Sequence, residues 1–190
     1  MTIDLSRLPT RTLRAGVLLY RVHRRPPWFF DASVNGRFNP THAPGRGACY
    51  WADKPIGAFI EAFRTIRTLA ESDVRARELS TIALHEDLVV VNLAVKRALG
   101  AGVTAAITSG ADYDEPQRMA SLLQGRVDGI RYRARHDLTQ QRISIAWFGP
   151  EGDRTSDPTA GLPVPDTQAI PDSVLEDAER RFGYMILPTP

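Results

Sequence analysis

Four side chains in the first third of the sequence have the types and spacing to act on a phosphorylated compound. Arg21 lies in the segment YRVH, and Arg37 lies at the centre of the turn NGRFN. Arginine suits phosphate because its planar guanidinium donates two parallel hydrogen bonds to one anion. Tyr50 follows in the segment ACYWA, and Glu61 in the segment AFIEAF. A carboxylate beside an apolar helix stripe costs free energy unless it is paired or lines a cleft, so Glu61 is a candidate active-site group.

Two strands and a helix are predicted to position these side chains. Residues 16–22 are short, apolar and partly β-branched, as in a buried strand, and residues 48–52 predict a second short strand. Residues 54–69 carry apolar side chains at helical spacing, with Asp53 as the predicted N-cap and Pro55 in the first turn. The predicted buried stripe consists of Ile56, Phe59, Ile60, Phe63, Ile66 and Leu69.

A long loop or broken hairpin is predicted between these two strands. The segment HRRPPWFFDASVNGRFNPTHAPGRG is rich in proline, glycine and asparagine, and loops of this length in a compact domain are usually functional or disordered. Four aromatic side chains that need burial argue against disorder: Trp28, Phe29, Phe30 and Phe38. The cluster at residues 28–30 fits either a lid or partner-facing patch, or ordinary core, and the sequence leaves both open.

The rest of the sequence mixes short strands with scattered helices. Strands are predicted at residues 78–85, 87–93, 129–132, 142–148 and 184–187, and helices at residues 95–99, 115–123 and 171–182. This irregular order predicts an α+β fold rather than regular βαβ winding. We expect one compact domain at residues 1–150. We expect residues 151–190 to form a linker rich in proline and glycine and a C-terminal helix that packs on the same domain.

Composition narrows the classes of function. The chain has 190 residues, 43% of them hydrophobic, which suits one globular core. A net charge of +2 and dispersed arginines do not favour nucleic acid binding. Nearly all of the basic residues are arginine rather than lysine. Genomic base composition explains this preference, and so does phosphate binding by a few of the arginines. No apolar run approaches the roughly 20 residues of a membrane span, and no secretory signal is visible. We therefore expect a cytoplasmic protein.

Motifs of several common enzyme classes are missing from the sequence. Neither a GxGxxG nor a GxxxxGK[ST] phosphate loop is present, and neither is a GxSxG nucleophile elbow. The histidines have no i, i+4 pair, so no metal site is expected. The single cysteine, Cys49, is expected to be a packed hydrophobe. Among the histidines, His136 in the segment RHD is the first candidate for a role in a site.

Taken in order, the motifs resemble the RES domain, the toxin component of RES–Xre toxin–antitoxin systems. The resemblance runs from YRVH through GRFNP, the tyrosine strand ACYWA and the glutamate helix AFIEAF. It continues through ELSTIALHEDLVVVNL to DGIRYRARHD and ISIAWF, and so spans residues 15–148. The resemblance implies an ADP-ribosyltransferase-like fold. It also implies an enzyme that degrades NAD by hydrolysis or phosphorolysis, that is, an NAD glycohydrolase or NAD phosphorylase.

The resemblance further implies an active site with Glu61, Arg21 and Tyr50 as its catalytic residues. Glu61 would stabilise an oxocarbenium-like ribose or orient the attacking water or phosphate. Arg21 and Arg37 would hold the pyrophosphate, and Tyr50 would stack on the nicotinamide ring. The predicted NAD-binding residues are Arg21, Arg37, Tyr50, Asn39 and Arg135. No cofactor is expected beyond NAD as the substrate, with inorganic phosphate as a candidate co-substrate.

One position departs from the pattern of the family. The family is named for an arginine, a glutamate and a serine, and the serine is expected within residues 131–137, most naturally at Ala134. Ser144, on the next predicted strand, is a candidate substitute. A missing hydroxyl is expected to affect turnover more than NAD binding.

Each candidate residue also has a structural explanation. Arg21 and Glu61 fit a buried ion pair, Tyr50 fits core packing, and Arg37 fits a role confined to its turn. Two other functions stay open for the same pocket. One is ADP-ribosyl transfer to a macromolecular target, and the other is a weakened NAD-binding module that lacks the family serine.

The resemblance implies a protein partner as well, namely an antitoxin with an Xre-type helix-turn-helix domain that covers the NAD cleft. The C-terminal helix fits either a contact with that antitoxin or a solvated face. Direct nucleic acid binding and membrane association are not expected, and homo-oligomerisation stays open.

Overall fold

The structure, a computed structural model, describes residues 3–24, 26–137, 139 and 141–189, which form twelve strands and five α-helices. The strands are β1 (Thr10–Leu13), β2 (Leu18–His23), β3 (Phe29–Phe30), β4 (Arg46–Ala52), β5 (Thr68–Ala70), β6 (Glu78–Ala83), β7 (Leu88–Asn92), β8 (Gly129–Arg133), β9 (Ile143–Pro150), β10 (Gly152–Asp153), β11 (Asp166–Ala169) and β12 (Met185–Leu187). The helices are α1 (Pro55–Phe63), α2 (Glu71–Arg75), α3 (Ala105–Ser109), α4 (Asp114–Leu123) and α5 (Asp172–Phe182), with 3₁₀ helices at Leu5–Arg7 and Lys96–Ala101.

Eight of these strands form one mixed sheet in the order β1-β7-β8-β9-β4-β2-β6-β11. Strands β7 and β8 pair in parallel, and the other neighbours in this sheet are antiparallel. Two small sheets lie beside it, one from β3 and β10 and one from β5 and β12. This arrangement confirms the predicted α+β fold.

The main sheet is buried on both faces around β4. Successive side chains of a strand point to opposite faces, so Cys49 and Trp51 pack with Trp28 and Trp147 on one side. Ala48 and Tyr50 pack on the other side with a cluster that includes Phe38, Met119 and Ile130. Cys49 is fully buried, and burial raises the pKa of its thiol, which confirms the prediction that it is a packed hydrophobe.

The aromatic cluster at residues 28–30 belongs to the core for two of its three members. Trp28 and Phe30 are almost fully buried. The indole ring of Trp28 makes an edge contact with Trp147 at 5.1 Å between ring centroids, and its Nε1 donates to the Pro163 carbonyl at 2.9 Å. The lid or partner-facing alternative is therefore wrong for these two residues. Phe29 instead lines the cavity described below.

Helix α1 is shorter than the sequence predicts at its C-terminal end. The predicted helix at residues 54–69 ends at Phe63, and Ile66 is exposed although it was expected in the buried stripe. The predicted N-cap is also wrong: the cap residue is Lys54, without a side-chain cap. The Asp53 carboxylate accepts a hydrogen bond from the Ile143 backbone N–H at 3.3 Å instead.

The segment predicted as a linker contains strands. Strand β11 pairs with β6 and extends the main sheet by one edge strand, although its polar sequence DTQA gives no apolar signal. Strand β10 pairs with β3. Helix α5 buries Val174 and Ala178 in the cluster that also contains Phe59 of α1. No helix in the described ranges is long and apolar enough to span a membrane.

Candidate active site

A cavity of about 320 Å³ opens where β2 and β4 separate. In the part of the chain that the structure describes, these two strands pair through a single residue pair, Tyr20 with Ala52. Beyond that pair, the guanidinium of Arg21 bridges the gap and donates to the Tyr50 carbonyl at 3.0 Å. The cavity lies at the lower end of the volume range of small-molecule sites.

The lining of the cavity brings together five of the six predicted site residues. It contains Arg21, Arg37, Tyr50, Glu61 and Arg135, and leaves out Asn39. The remaining lining residues are Tyr20, Val22, Phe29, Asp31, Asn35, Gly36, Ala48, Trp51, Ala52, Ala58, Ala62, Arg64, Tyr113, Tyr132 and His136. Four arginines face two carboxylates, so the cavity is electropositive and suits an anionic ligand.

The two oxygens of the Glu61 carboxylate have different surroundings. Its Oε2 accepts a hydrogen bond from the Tyr132 hydroxyl at 3.2 Å. Its Oε1 is buried and has no partner among the described residues. Desolvation raises the pKa of Glu61, against the opposing effects of the Tyr132 hydroxyl and of Arg64 and Arg37. A buried carboxylate oxygen without a partner is costly unless a ligand completes it.

Tyr132 supplies this hydroxyl, although it is not among the site residues predicted from the sequence. It lies on β8, is only 4% exposed, and packs against Phe38 with ring centroids 4.8 Å apart. Burial and the neighbouring charge of Glu61 raise the pKa of Tyr132 well above its usual value. The phenol therefore stays protonated at neutral pH and keeps donating to the carboxylate.

Tyr50 is held in place by the turn that contains Asn39. The Tyr50 hydroxyl donates to Asn39 Oδ1 at 2.8 Å and accepts from the Phe38 backbone N–H at 3.0 Å. Asn39 itself is fully buried, and its Nδ2 donates to the Ser33 carbonyl at 2.7 Å. Both ends of the Asn39 amide are thus used by protein, so Asn39 positions Tyr50. A Cβ on Gly36 would overlap the Asn39 amide, which explains the glycine in this turn.

Arg37 is both part of the cavity lining and a structural tether. It is 7% exposed, and its guanidinium donates to the carbonyls of Ile107, at 3.2 Å, and Gly110. It also lies over the Tyr113 ring, 4.5 Å from the ring centroid. These carbonyls belong to α3 and to the residue that follows it. The alternative in which Arg37 serves only its own turn therefore does not account for these contacts.

No hydrogen bond or ion pair joins Arg21 to Glu61, both of which lie in the described ranges. The predicted alternative of a buried ion pair between them is therefore wrong. The Arg21 Nε is buried and lacks a partner in the described part of the chain. Arg21 and Glu61 thus each keep an unsatisfied polar atom, on two different elements that line one cavity.

The segment at residues 133–137 contributes Arg135 and His136 to the lining. Burial and the positive charges of Arg135, Arg64, Arg67 and Arg37 lower the pKa of His136 to about 4. His136 is therefore a neutral imidazole at neutral pH. Arg135 donates to the Gly110 carbonyl at 3.3 Å and is otherwise exposed.

Ala134, where a family serine was expected, does not line the cavity. It is 1% exposed, and with Arg135 it belongs to a separate small crevice next to Leu93 and Ser109. Ser144, the candidate substitute, is also outside the lining. Its register partner on β8 is Tyr132, and its Oγ has no hydrogen-bond partner among the described residues. The hydroxyl that reaches Glu61 comes from Tyr132 instead.

Two further lining residues had only weak signals in the sequence. Tyr113 precedes α4, outside any predicted element. The sequence predicts Arg64 in the interior of a longer helix, whereas Arg64 is the C-cap residue that follows α1. The clue to Tyr132 in the sequence is that it lies within residues 131–137, where the family serine is expected.

Comparison with known proteins finds a matching family model and chains of similar structure. The model of the RES domain family matches residues 18–173. A chain in the crystal structure of the M. tuberculosis MbcT–MbcA toxin–antitoxin complex has a TM-score of 0.66 and 19% identity, over 87% of this chain and 90% of that chain. At this identity the match shows a shared fold. The search of curated proteins finds no match.

Proposed function

This chain belongs to the RES domain family, and on that basis we propose that it is a toxin that depletes NAD by cleaving the nicotinamide–ribose bond. The observation that carries the proposal is the Glu61 carboxylate in the electropositive cavity, with one buried oxygen that has no partner among the residues the structure describes. A cationic ribose intermediate needs a fixed negative charge beside it, and a pyrophosphate needs arginines. The cavity supplies both.

In the proposed reaction the bond between the ribose C1 and the nicotinamide ring nitrogen breaks. The electron pair of that bond stays on the nitrogen, so the cationic ring leaves as neutral nicotinamide and needs no proton. The usual pair of glycosidase carboxylates can therefore be reduced to one. In this proposal Glu61 Oε1 accepts a ribose hydroxyl or stabilises the developing oxocarbenium charge, while the Tyr132 hydroxyl donates to the other oxygen of the carboxylate.

The nucleophile that completes the reaction is water or inorganic phosphate. Water adds to C1 of the ribose, releases one proton and gives ADP-ribose. Phosphate adds through one oxygen and gives the 1-phosphate of ADP-ribose. We propose that the cavity arginines hold the pyrophosphate of NAD and can also hold a phosphate nucleophile, while Tyr50 stacks on the nicotinamide ring.

The test is nicotinamide release from NAD by the purified wild type and by Glu61→Gln, each with and without phosphate. We expect kcat of Glu61→Gln to fall by about 10²- to 10³-fold, because the amide lacks the negative charge that stabilises the transition state. Glu86→Gln removes a carboxylate from an exposed position and is the matched control with unchanged kcat.

A folded wild type that releases no nicotinamide under either condition contradicts the proposal. Label from NAD on a macromolecule, with little free ADP-ribose, would indicate ADP-ribosyl transfer instead. If the protein is a weakened binding module, expression of wild type and Glu61→Gln should affect cell growth equally. A toxic wild type beside a harmless Glu61→Gln supports the NAD-degrading toxin.

We also propose that the partner is a protein antitoxin of the Xre-type helix-turn-helix class, acting in the cytosol where the NAD pool lies. One similar solved structure is that of a toxin–antitoxin complex. Exposed apolar side chains next to the cavity residues, Val34 beside Asn35 and Ile66 two residues after Arg64, would suit a covering protein. Co-expression with a neighbouring helix-turn-helix gene product should give a complex in which nicotinamide release is suppressed.

A further inference from the structure

Arg64 has a backbone conformation that arginine seldom adopts. It is the one non-glycine residue with a positive φ in the described ranges, with φ at 53° and ψ at −120°. This conformation favours glycine, because a Cβ crowds the backbone there. Two hydrogen bonds hold it: the Arg64 N–H donates to Ile60 at 2.7 Å, and the Tyr184 hydroxyl donates to the Arg64 carbonyl at 3.2 Å.

The side chain of Arg64 differs from those of the other three cavity arginines. Arg21, Arg37 and Arg135 each donate to at least one backbone carbonyl. The Arg64 guanidinium has no hydrogen bond or ion pair with any residue that the structure describes, although it lines the same cavity. It is exposed, and its charge acts on Glu61, Tyr50 and His136. All of its donors therefore remain available to a ligand.

A glycine at this position would end α1 without strain. Termination of the helix therefore does not explain why an arginine, with its backbone strain, is found here. Strained backbone that a fold holds in place is common at sites that bind ligands. The free guanidinium lies three residues after Glu61, on the rim of an electropositive cavity. An anion that enters the cavity can take two parallel hydrogen bonds from it.

We infer that Arg64 binds a phosphate group in this cavity, and that the fold strains its backbone to direct the guanidinium there. That the phosphate belongs to NAD or to a phosphate nucleophile rests on the proposed function. Binding of the anion itself does not. Arg21 and Arg37, in contrast, spend part of their hydrogen-bonding capacity on the protein.

The test compares wild type with Arg64→Gly in binding and in kinetics. Calorimetry at fixed ionic strength uses pyrophosphate and inorganic phosphate as probes, and Kd is expected to rise about 10- to 100-fold in the variant. A KM increase for NAD would assign Arg64 to the diphosphate of the substrate. A KM increase for phosphate alone would assign it to the nucleophile. The melting temperature of Arg64→Gly is expected to rise by about 2–4 °C, because the strain is released.

Three further variants make the result decisive. Arg64→Lys keeps the charge but loses the planar fork, so its affinity should be intermediate. Arg64→Asn tolerates a positive φ and removes the charge, so it should behave like Arg64→Gly even if the glycine variant folds poorly. Arg97→Gln removes a charge from an exposed arginine outside the cavity and should leave both probes unaffected.

Unchanged Kd for both probes in Arg64→Gly and Arg64→Asn would overturn the inference. A wild type that releases nicotinamide while these variants keep its KM values would contradict the role of Arg64 and leave the proposed function standing. A wild type that binds pyrophosphate through Arg64 but releases no nicotinamide would support the role of Arg64 and contradict the proposed function. A melting temperature that does not rise in Arg64→Gly would overturn the claim of strain.

Discussion

At the scale of single residues, Tyr132 and Glu61 form the pair on which the proposed chemistry depends. The hydroxyl favours the ionised carboxylate, while burial favours the protonated form and raises the pKa of Glu61. Catalysis by a negative charge requires the ionised form. Activity should therefore fall as the pH drops through the raised pKa of Glu61, at a pH above the usual value for a glutamate.

Tyr132→Phe should move this acid limb to higher pH. The variant removes the hydrogen bond that stabilises the Glu61 carboxylate, so the pKa of Glu61 rises further and less of it is ionised at a given pH. The expected loss of kcat/KM at neutral pH is about tenfold, which is the size of one hydrogen bond to a charged group. The measurement is a pH profile of kcat/KM for nicotinamide release.

A merely structural role for Tyr132 would lower activity equally at all pH values and leave the acid limb in place. Tyr20→Phe is the matched control, because Tyr20 lines the cavity and its hydroxyl has no hydrogen bond with the described residues. Its profile should keep the wild-type midpoint.

At the scale of elements, α4 holds the turn that carries Arg37. Gln117 on α4 is 5% exposed, and its Nε2 donates to the carbonyls of Val34 and Gly36, at 2.9 Å each. Its Oε1 accepts from the Thr41 hydroxyl at 3.3 Å. One side chain thus fixes the loop against a helix that lies about 80 residues further along the chain.

Gln117→Leu should destabilise the fold and loosen the site together. Two loop carbonyls would lose a buried donor, at a cost of about 2 kcal/mol, which corresponds to a fall in melting temperature of about 4–8 °C. We expect KM for NAD to rise several-fold while kcat changes less, because the turn positions Arg37, which we propose binds NAD. Thermal unfolding and steady-state kinetics measure the two effects.

Arg118→Ala is the control on the same helix, since it removes only an exposed ion pair with Asp114. Its melting temperature and KM should stay close to those of the wild type. If Gln117→Leu leaves KM unchanged while it lowers the melting temperature, α4 stabilises the fold without positioning the turn.

The end of α1 shows the same coupling between distant elements. The Tyr184 hydroxyl donates to the Arg64 carbonyl across 120 residues, and the Tyr184 ring packs edge-on against Phe59. The segment after residue 150, predicted as a linker and a helix that packs on the same domain, therefore contacts an element of the cavity. The boundary at residue 150 itself stays a prediction.

At the scale of the whole molecule, the positive charges gathered around the cavity affect how stability depends on pH. His136 has a pKa of about 4 in the folded protein, below the 6.5 of an ordinary histidine. Between these values the unfolded chain binds a proton that the folded protein does not. The contribution of His136 therefore makes the fold less stable as the pH falls from about 6.5 towards 4.

His136→Gln should remove this contribution. The melting temperature of the wild type, relative to that of the variant, should decline by a few degrees between pH 7 and pH 4.5, at about 2–4 °C for each kcal/mol. The raised pKa of Glu61 has the opposite effect on stability. The contribution of Glu61 to stability is present at low pH and is lost as the pH rises through its raised pKa. The comparison with His136→Gln separates the two, since Glu61 is present in both proteins.

A difference in melting temperature that stays constant with pH would contradict the assignment to His136. His85→Gln is the control, because His85 is exposed and lies outside the cavity. Its difference from the wild type should change little over the same pH range.

The sequence alone determined the type of most elements and the order of the chemical residues along the chain. Hydrophobic periodicity predicted β2, β4, α4 and α5 to within a few residues, because it reports which face of an element is buried. It missed β1 and β11, whose side chains are mostly exposed and polar, and it extended α1 past the backbone turn at Arg64. The order of the motifs along the chain indicated the RES domain family.

Only the tertiary structure decided which groups meet. The Tyr132 hydroxyl reaches Glu61 across 71 residues, Asn39 turns away from the cavity to hold Tyr50, and the expected serine position lies in another crevice. Periodicity fixes the face of an element but not the distance between two elements that are far apart in sequence. Those distances depend on how β2 separates from β4 and on how α1 and α4 pack beside these strands. The packing of the whole core determines this arrangement.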